Sequence, residues 1–205
     1  MASGKFPEAR RDFEYAVAHG VRAARVDLGL LLSQPSAGLL DPPAAISLYE
    51  RAWNDGVTVA AFALGNLYEH GISRAGDAQQ QSLSADSTRA WAWYQNAADA
   101  GEPNALARFA QRDEAAAFAE PDAARRNASW FASFKYYAAA AERARIEDWP
   151  GDAWRNWRYR RASLAHLLAR EGMMSQVADA YAAVRQQQPV NSKTLWEEIK
   201  ARVHW

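Results

Sequence analysis

The sequence has no cysteine. That excludes disulfides, thiolate metal sites and cysteine nucleophiles, and it leaves the compartment open. It has no net charge either: 24 Lys and Arg stand against 24 Asp and Glu. No overall field therefore draws the chain to nucleic acid or to an anionic membrane, and neither is expected as a partner. No apolar run approaches the ~20 residues of a membrane span. The opening MASGKFPEARRDF lacks the apolar centre of a secretory signal. The expected location is cytoplasmic as the sequence stands, or periplasmic if a leader has been removed. Strand-like alternation is also missing, so the helix period carries the fold.

What the sequence does have is repetition. LYERAWNDG at 48–56 and WYQNAADAG at 93–101 follow one pattern. Measured from Gly20, Gly56 and Gly101, an aromatic falls seven residues before (Phe13, Tyr49, Tyr94). Alanines fall four before (Ala16, Ala52, Ala97), eleven before (Ala9, Ala45, Ala90) and four after (Ala24, Ala60, Ala105). Leu28, Leu64 and Phe109 follow eight after, each trailed by Gly29, Gly65 or Ala110. The period is 36, then 45 residues, and residues 71–87 form a polar loop that supplies the excess. A period of this size marks a solenoid of helical hairpins.

Each copy has its own helix signals. Ala45, Leu48, Tyr49, Ala52 and Trp53 share one helix face. Asp41 caps the helix start ahead of Pro42 and Pro43, and Asp86 with Ser87 repeats that role. Gly56 and Gly101 stop their helices. A second helix follows Gly56, burying Ala60, Ala61, Leu64, Leu67 and Tyr68. The spacing predicts a hairpin about Gly56, with Tyr49 and Tyr68 filling the space beside the small Ala60 and Gly65. Such a hairpin cannot bury its apolar face alone, so neighbours stack.

The stretches AWAWYQNAADAG at 90–101 and AAFALGNLYEHG at 60–71 resemble the Sel-one-like repeat family, relatives of the tetratricopeptide repeats. The resemblance covers about residues 9–110. It departs at DFEYAVAHG in the first copy and at FAQRDEAAAF in the third, where Leu-Gly and Tyr are expected. It implies an all-α, right-handed superhelical solenoid of stacked helical hairpins with a divergent C-terminal helical cap. The expected organisation is one domain over 1–205, with repeat units at 5–121 and divergent hairpins at 122–205. The chain opens on what reads as the second helix of a hairpin, so the sequence implies upstream residues or a half unit at the start.

Helical patterning resumes near Asp122, with Trp130, Phe131, Phe134, Tyr137, Ala138 and Ala141 at 3–4 spacing, and EDWPGD at 147–152 breaks it. Residues 153–188 read as a tetratricopeptide-type hairpin: Leu164, Ala165 and Leu168, a turn at Gly172, then Val177, Tyr181 and Val184, ended by Pro189. A last short helix is expected over NSKTLWEEIKARVHW, capped by Asn191 or Ser192.

No catalytic or metal site is legible, and no cofactor is expected. The four histidines, His19, His70, His166 and His204, show no paired ligand spacing. His19 and His70 sit where a helix dipole favours a cation. Ser163 and His166 lie one turn apart without an orienting acid. GISRAG is no phosphate loop, and NAS at 127–129 is a short match of the kind that arises by chance.

Two surfaces remain as candidates for binding. The concave groove of a solenoid takes a protein or peptide. Counted from the Leu-Gly pairs, its positions are Val59, Phe62, Asn66 and Glu69, then Asn104, Ala107, Gln111 and Glu114, then Tyr159, Ala162 and His166. The second surface is DWPGDAWRNWRYRR at 148–161, with three tryptophans among four arginines. Trp and Arg are enriched at binding hot spots. At least two of these tryptophans are expected in the core, with Arg155 and Arg158 outward and Trp149 the most exposed. The resemblance implies a non-enzymatic bacterial interaction module, an adaptor or scaffold. The alternative it implies is an immunity protein that sequesters a toxic secreted enzyme.

Overall fold

The computed structural model describes residues 5–72, 82–147, 149 and 152–186. Among them nine α-helices run in order: α1 (Phe6–Ala18), α2 (Ala24–Ser33), α3 (Pro42–Asn54), α4 (Val59–His70), α5 (Ser87–Asp99), α6 (Pro103–Ala119), α7 (Ala123–Ile146), α8 (Ala153–Arg170) and α9 (Met174–Gln186). No strand forms among these residues. One isolated antiparallel bridge joins Ile72 to Leu83, at 2.7 and 2.8 Å. The middle of the 71–87 loop and the expected helix after Pro189 lie outside the described residues. The chain comprises two compact units, residues 1–105 and 106–205.

The helix ends follow their local chemistry. Asp41, Asp86 and Asp122 each accept a hydrogen bond from the backbone N–H three residues on, at 3.1, 3.0 and 2.9 Å. Caps of this kind contribute about 1 kcal/mol each. Glu102, wholly buried, does the same for α6, accepting from the Ala105 N–H at 2.6 Å. Gly56 and Gly101 stop α3 and α5 with φ of 84° and 80°, a region that penalises any Cβ. His19 and His70 each donate through Nδ1 to the carbonyl four residues back, at 2.8 and 3.0 Å, satisfying last-turn acceptors.

Within the first unit α3 and α4 form the predicted hairpin about Gly56, but the closest approaches lie between other helices. Tyr49 of α3 lies over Gly29 of α2, and Tyr94 of α5 lies over Gly65 of α4. A Cβ on Gly29 would come within 2.7 Å of the Tyr49 ring, and one on Gly65 would meet the Tyr94 ring. The tight pairs are therefore α2 with α3 and α4 with α5, and the Gly56 turn joins one pair to the next. The pairs are antiparallel, since Arg25 at the head of α2 is ion-paired with Asp55 at the foot of α3. The partner at Gly65 is Tyr94, not Tyr49 or Tyr68. Tyr68 packs elsewhere, under the Arg89 guanidinium at 5.6 Å. Ala45, Ala52, Ala60, Ala61, Leu64, Ala90 and Ala97 close the core around these contacts.

The second unit contains a copy of the same joint that the sequence pattern concealed. Tyr136 and Tyr137 stand where Trp93 and Tyr94 stand, with Ala140 and Ala141 at the offsets of Ala97 and Ala98. Ala144 replaces the terminating glycine, so α7 continues to Ile146. Ala110 takes the place of Gly65. It is fully buried, and its carbonyl accepts from the buried Ser133 hydroxyl at 2.8 Å. Around this joint Phe134, Tyr137, Trp157, Leu164, Leu168 and Val177 form the core.

The two glycine roles separate experimentally. Gly65→Ala should destabilise by about 1–3 kcal/mol, because Tyr94 is fully buried and cannot yield. Gly56→Ala meets no atom within 4 Å, so its cost is that of φ alone, about 1 kcal/mol. Denaturant midpoints compare them directly. Equal or reversed costs would contradict the close approach at Gly65.

Candidate functional site

Three of the sequence-predicted residues of the first unit, Phe62, Asn66 and Glu69, converge on one tyrosine. Phe62 is half-buried, its ring centroid 5.5 Å from that of Tyr94. The Tyr94 hydroxyl lies 2.7 Å from the Glu69 carboxylate and 2.8 Å from the Asn66 side-chain oxygen position. A phenol has one proton. Both contacts are satisfied when it goes to Glu69 and the Asn66 amide, turned over, presents its NH2 to the phenol oxygen. Phe62 thus packs against Tyr94 and keeps part of its surface exposed. Val59 is half-buried at the start of α4. Asn104 donates to Glu102 at 3.0 Å within the α6 cap.

In the second unit, α6, α7 and α8 enclose an open cleft of about 310 Å³. Gln111, Glu114, Ala115 and Phe118 come from α6, Tyr137 from α7, and Asn156, Trp157 and Arg160 from α8. Its polar centre is Glu114, which accepts from the Tyr137 hydroxyl at 3.2 Å and from Arg160 at 2.9 Å. Burial, then the neighbouring Glu114 charge and hydrogen bond, push the Tyr137 phenol up to about 12. At the rim, Phe118 is 74% exposed and Gln111 is exposed. Ala107, counted toward the groove from sequence, is buried in the core because it faces α7 and its neighbours.

The Trp/Arg segment divides by depth. Trp157 is buried, and Trp154 and Trp149 are half-buried against the same core. Trp149 was expected to be the exposed one. Its ring instead packs against Trp157, centroids 6.1 Å apart, and its indole N–H donates to Glu147 at 3.0 Å. Asp148, Pro150 and Gly151 lie outside the described residues. Arg155, Arg158, Tyr159, Ala162 and His166 are exposed on α8. Asn127 of the NAS match donates to Glu171 at 3.2 Å.

Sequence reasoning missed Phe118, and it named Asn156 and Arg160 only as part of the Trp/Arg segment 148–161, not as lining of this cleft. Phe118 lies in the stretch that departs from the repeat pattern, one residue past the buried Ala117 and so off the core face. For Arg160 the signal was present: α8 contains no Asp or Glu, so its arginines need carboxylates from elsewhere. Among the described residues no group of three or more His, Asp or Glu is arranged to hold a metal. Among them no helix is long and apolar enough to cross a membrane. Ser163 donates its hydroxyl to the Tyr159 carbonyl at 3.1 Å.

No protein-family profile matches the chain, and no curated protein matches it. Among solved structures it is similar to a protective antigen present in uropathogenic Escherichia coli strains that displays an SLR fold. Identity is 14% over 88% of this chain, with a TM-score of 0.42, and the chain spans about half (51%) of that protein. It is also similar to a Sel1 repeat protein from Oxalobacter formigenes, at 14% identity over 89% of this chain and 86% of the other, with a TM-score of 0.40. Among the described residues the fold is all-α, built of helices in which a tyrosine ring lies over a glycine twice.

The Tyr137 phenol gives a pH test. Below pH 10 it is protonated in both the folded and unfolded chain, and its full contribution is present. Above that, the unfolded chain ionises first while the folded one keeps its proton until about 12. Stability then falls with rising pH, by up to ~1.4 kcal/mol per pH unit. The stability difference between wild type and Tyr137→Phe should shrink between these limits in urea titrations. A difference that stays constant would contradict the assignment.

Proposed function

We propose that the chain is a non-enzymatic bacterial protein-binding module, an adaptor, and that the open cleft of the second unit takes a segment of its partner. The observation that carries this reading is Phe118, 74% exposed at the rim of a cleft whose walls also offer the Gln111 and Asn156 amides. An amide side chain both donates and accepts, as a peptide group does, so two of them suit the main chain of a bound segment. The exposed ring gives an apolar residue of that segment something to cover. The Glu114 carboxylate, already hydrogen-bonded by Tyr137 and Arg160, holds the floor rigid and is poorly placed to act as a base.

Phe118→Ala should leave the melting midpoint unchanged and weaken the partner by about 2 kcal/mol, the scale of a hot-spot residue. The check is affinity capture from a bacterial extract with wild type and variant side by side, then calorimetry on proteins retained by wild type alone. Equal retention by both chains would overturn the cleft. The immunity role is decided in the same experiment. A captured enzyme that loses activity at one equivalent of this chain makes it an inhibitor, and one that keeps activity makes it an adaptor.

A further inference from the structure

Helix α8 reads AWRNWRYRRASLAHLLAR, with five arginines and no acidic residue. Two of the arginines find carboxylates on neighbouring segments: Arg155 pairs with Asp152, and Arg160 with Glu114. Arg158, Arg161 and Arg170 have no carboxylate partner among the described residues. Aromatic rings hold two of these three. Arg158 lies over Trp154 at 5.3 Å, and Arg161 lies over Tyr181 at 4.6 Å. A guanidinium stacked by its face keeps its N–H edges free for another acceptor.

The helix turns a defined stripe outward. Trp157, Leu164 and Leu168 face the core. Opposite them, Arg155, Tyr159, Ala162, His166 and Arg170 recur at i, i+4, i+7, i+11 and i+15, and all five are exposed. Tyr159, at 71% exposure, stands beside the small Ala162, with His166 on its other side. This leaves a seat between two rings on a helix face about 22 Å long. Arg158 flanks the stripe.

We propose that this stripe docks an acidic amphipathic helix of a partner protein, its carboxylates on Arg155, Arg158 and Arg170 and one apolar side chain seated on Ala162. The proposal rests on the protein-binding reading and adds the chemistry of the partner. Charge complementarity requires the acid: among the described residues Arg158 and Arg170 have no carboxylate, Arg158 is held over Trp154, and Arg155 shares its charge only with the exposed Asp152. The small residue between two rings requires an apolar knob, as in ridge-and-groove helix packing. A nucleic acid fits less well. The chain is neutral overall, and its first 148 residues carry 19 Asp and Glu against 15 Lys and Arg. With no net charge, the chain offers a long polyanion no overall attraction.

The test uses three fluorescein-labelled probes on the full chain, read by anisotropy. They are a synthetic peptide of about 20 residues built from Glu, Ala and Leu with leucines on one face, its counterpart with Lys for every Glu, and a single-stranded DNA of similar length. The glutamate peptide should bind, weakening about tenfold as salt rises to about 0.3 M, and the other two should not. Arg158→Glu/Arg170→Gln should weaken it at least about tenfold, as should Tyr159→Ala, all with unchanged melting midpoints. Neither substitution removes an ion pair among the described residues. Equal binding of both peptides, tighter binding of the DNA, no binding of the glutamate peptide, or indifference to the α8 variants would overturn the proposal. Retention of a Phe118-dependent partner by the same α8 variants would show that the cleft reading survives such a failure.

Discussion

A tyrosine ring lying on a glycine sets the spacing of the helices in the first unit, and the second unit repeats the pattern with alanine in the glycine's place. At Gly29 and Gly65 the missing Cβ is the space that the ring of Tyr49 or Tyr94 occupies. At the corresponding position in the second unit, Ala110 is buried in the same core as Tyr137, and its carbonyl accepts from the buried Ser133 hydroxyl. Small alanines before and after each tyrosine follow from this contact. Ala45, Ala52, Ala90 and Ala97 are almost without exposure because the backbones around the ring are too close for anything larger.

The hydroxyl at the far end of each ring obeys a second rule. It meets the residue four places after the small one: Ser33 for Tyr49 at 3.5 Å, Glu69 for Tyr94 at 2.7 Å, and Glu114 for Tyr137 at 3.2 Å. Buried phenols need such acceptors, and burial holds the Tyr49 and Tyr137 hydroxyls in their protonated form. This explains why a stripe that looks designed for a ligand, Asn66 and Glu69, is occupied by the fold itself. The exposed polar groups of the α6 rim and of the outer face of α8 lie off that register.

Much of this was legible from sequence, and the failures have physical causes. Helix starts at Asp41, Asp86 and Asp122 and stops at Gly56 and Gly101 depend on local chemistry, which a sequence displays directly. Which helix packs most tightly on which depends on contacts across a loop. The turn at Gly56 drew attention to a hairpin that forms but is not the tightest pair. The joint at Tyr137 escaped notice because alanine stands for glycine at both Ala110 and Ala144, which removes the marker while keeping the packing. Trp149 follows the end of α7 and sits in a turn-forming stretch, yet turns inward because the neighbouring Trp157 offers it a face. Phe118 was unreadable for the opposite reason, since an apolar residue off the core register gives no periodic signal.

The central claim is that the tyrosine and the small residue beneath it act as one joint. A double-mutant cycle on Gly65→Ala and Tyr94→Ala, followed by urea unfolding, tests it most directly. Removing the ring should free the space the new methyl needs, so Gly65→Ala should cost little in the Tyr94→Ala background. A coupling of roughly 1–3 kcal/mol is then expected. Additive costs, with the methyl as damaging without the ring as with it, would contradict the account.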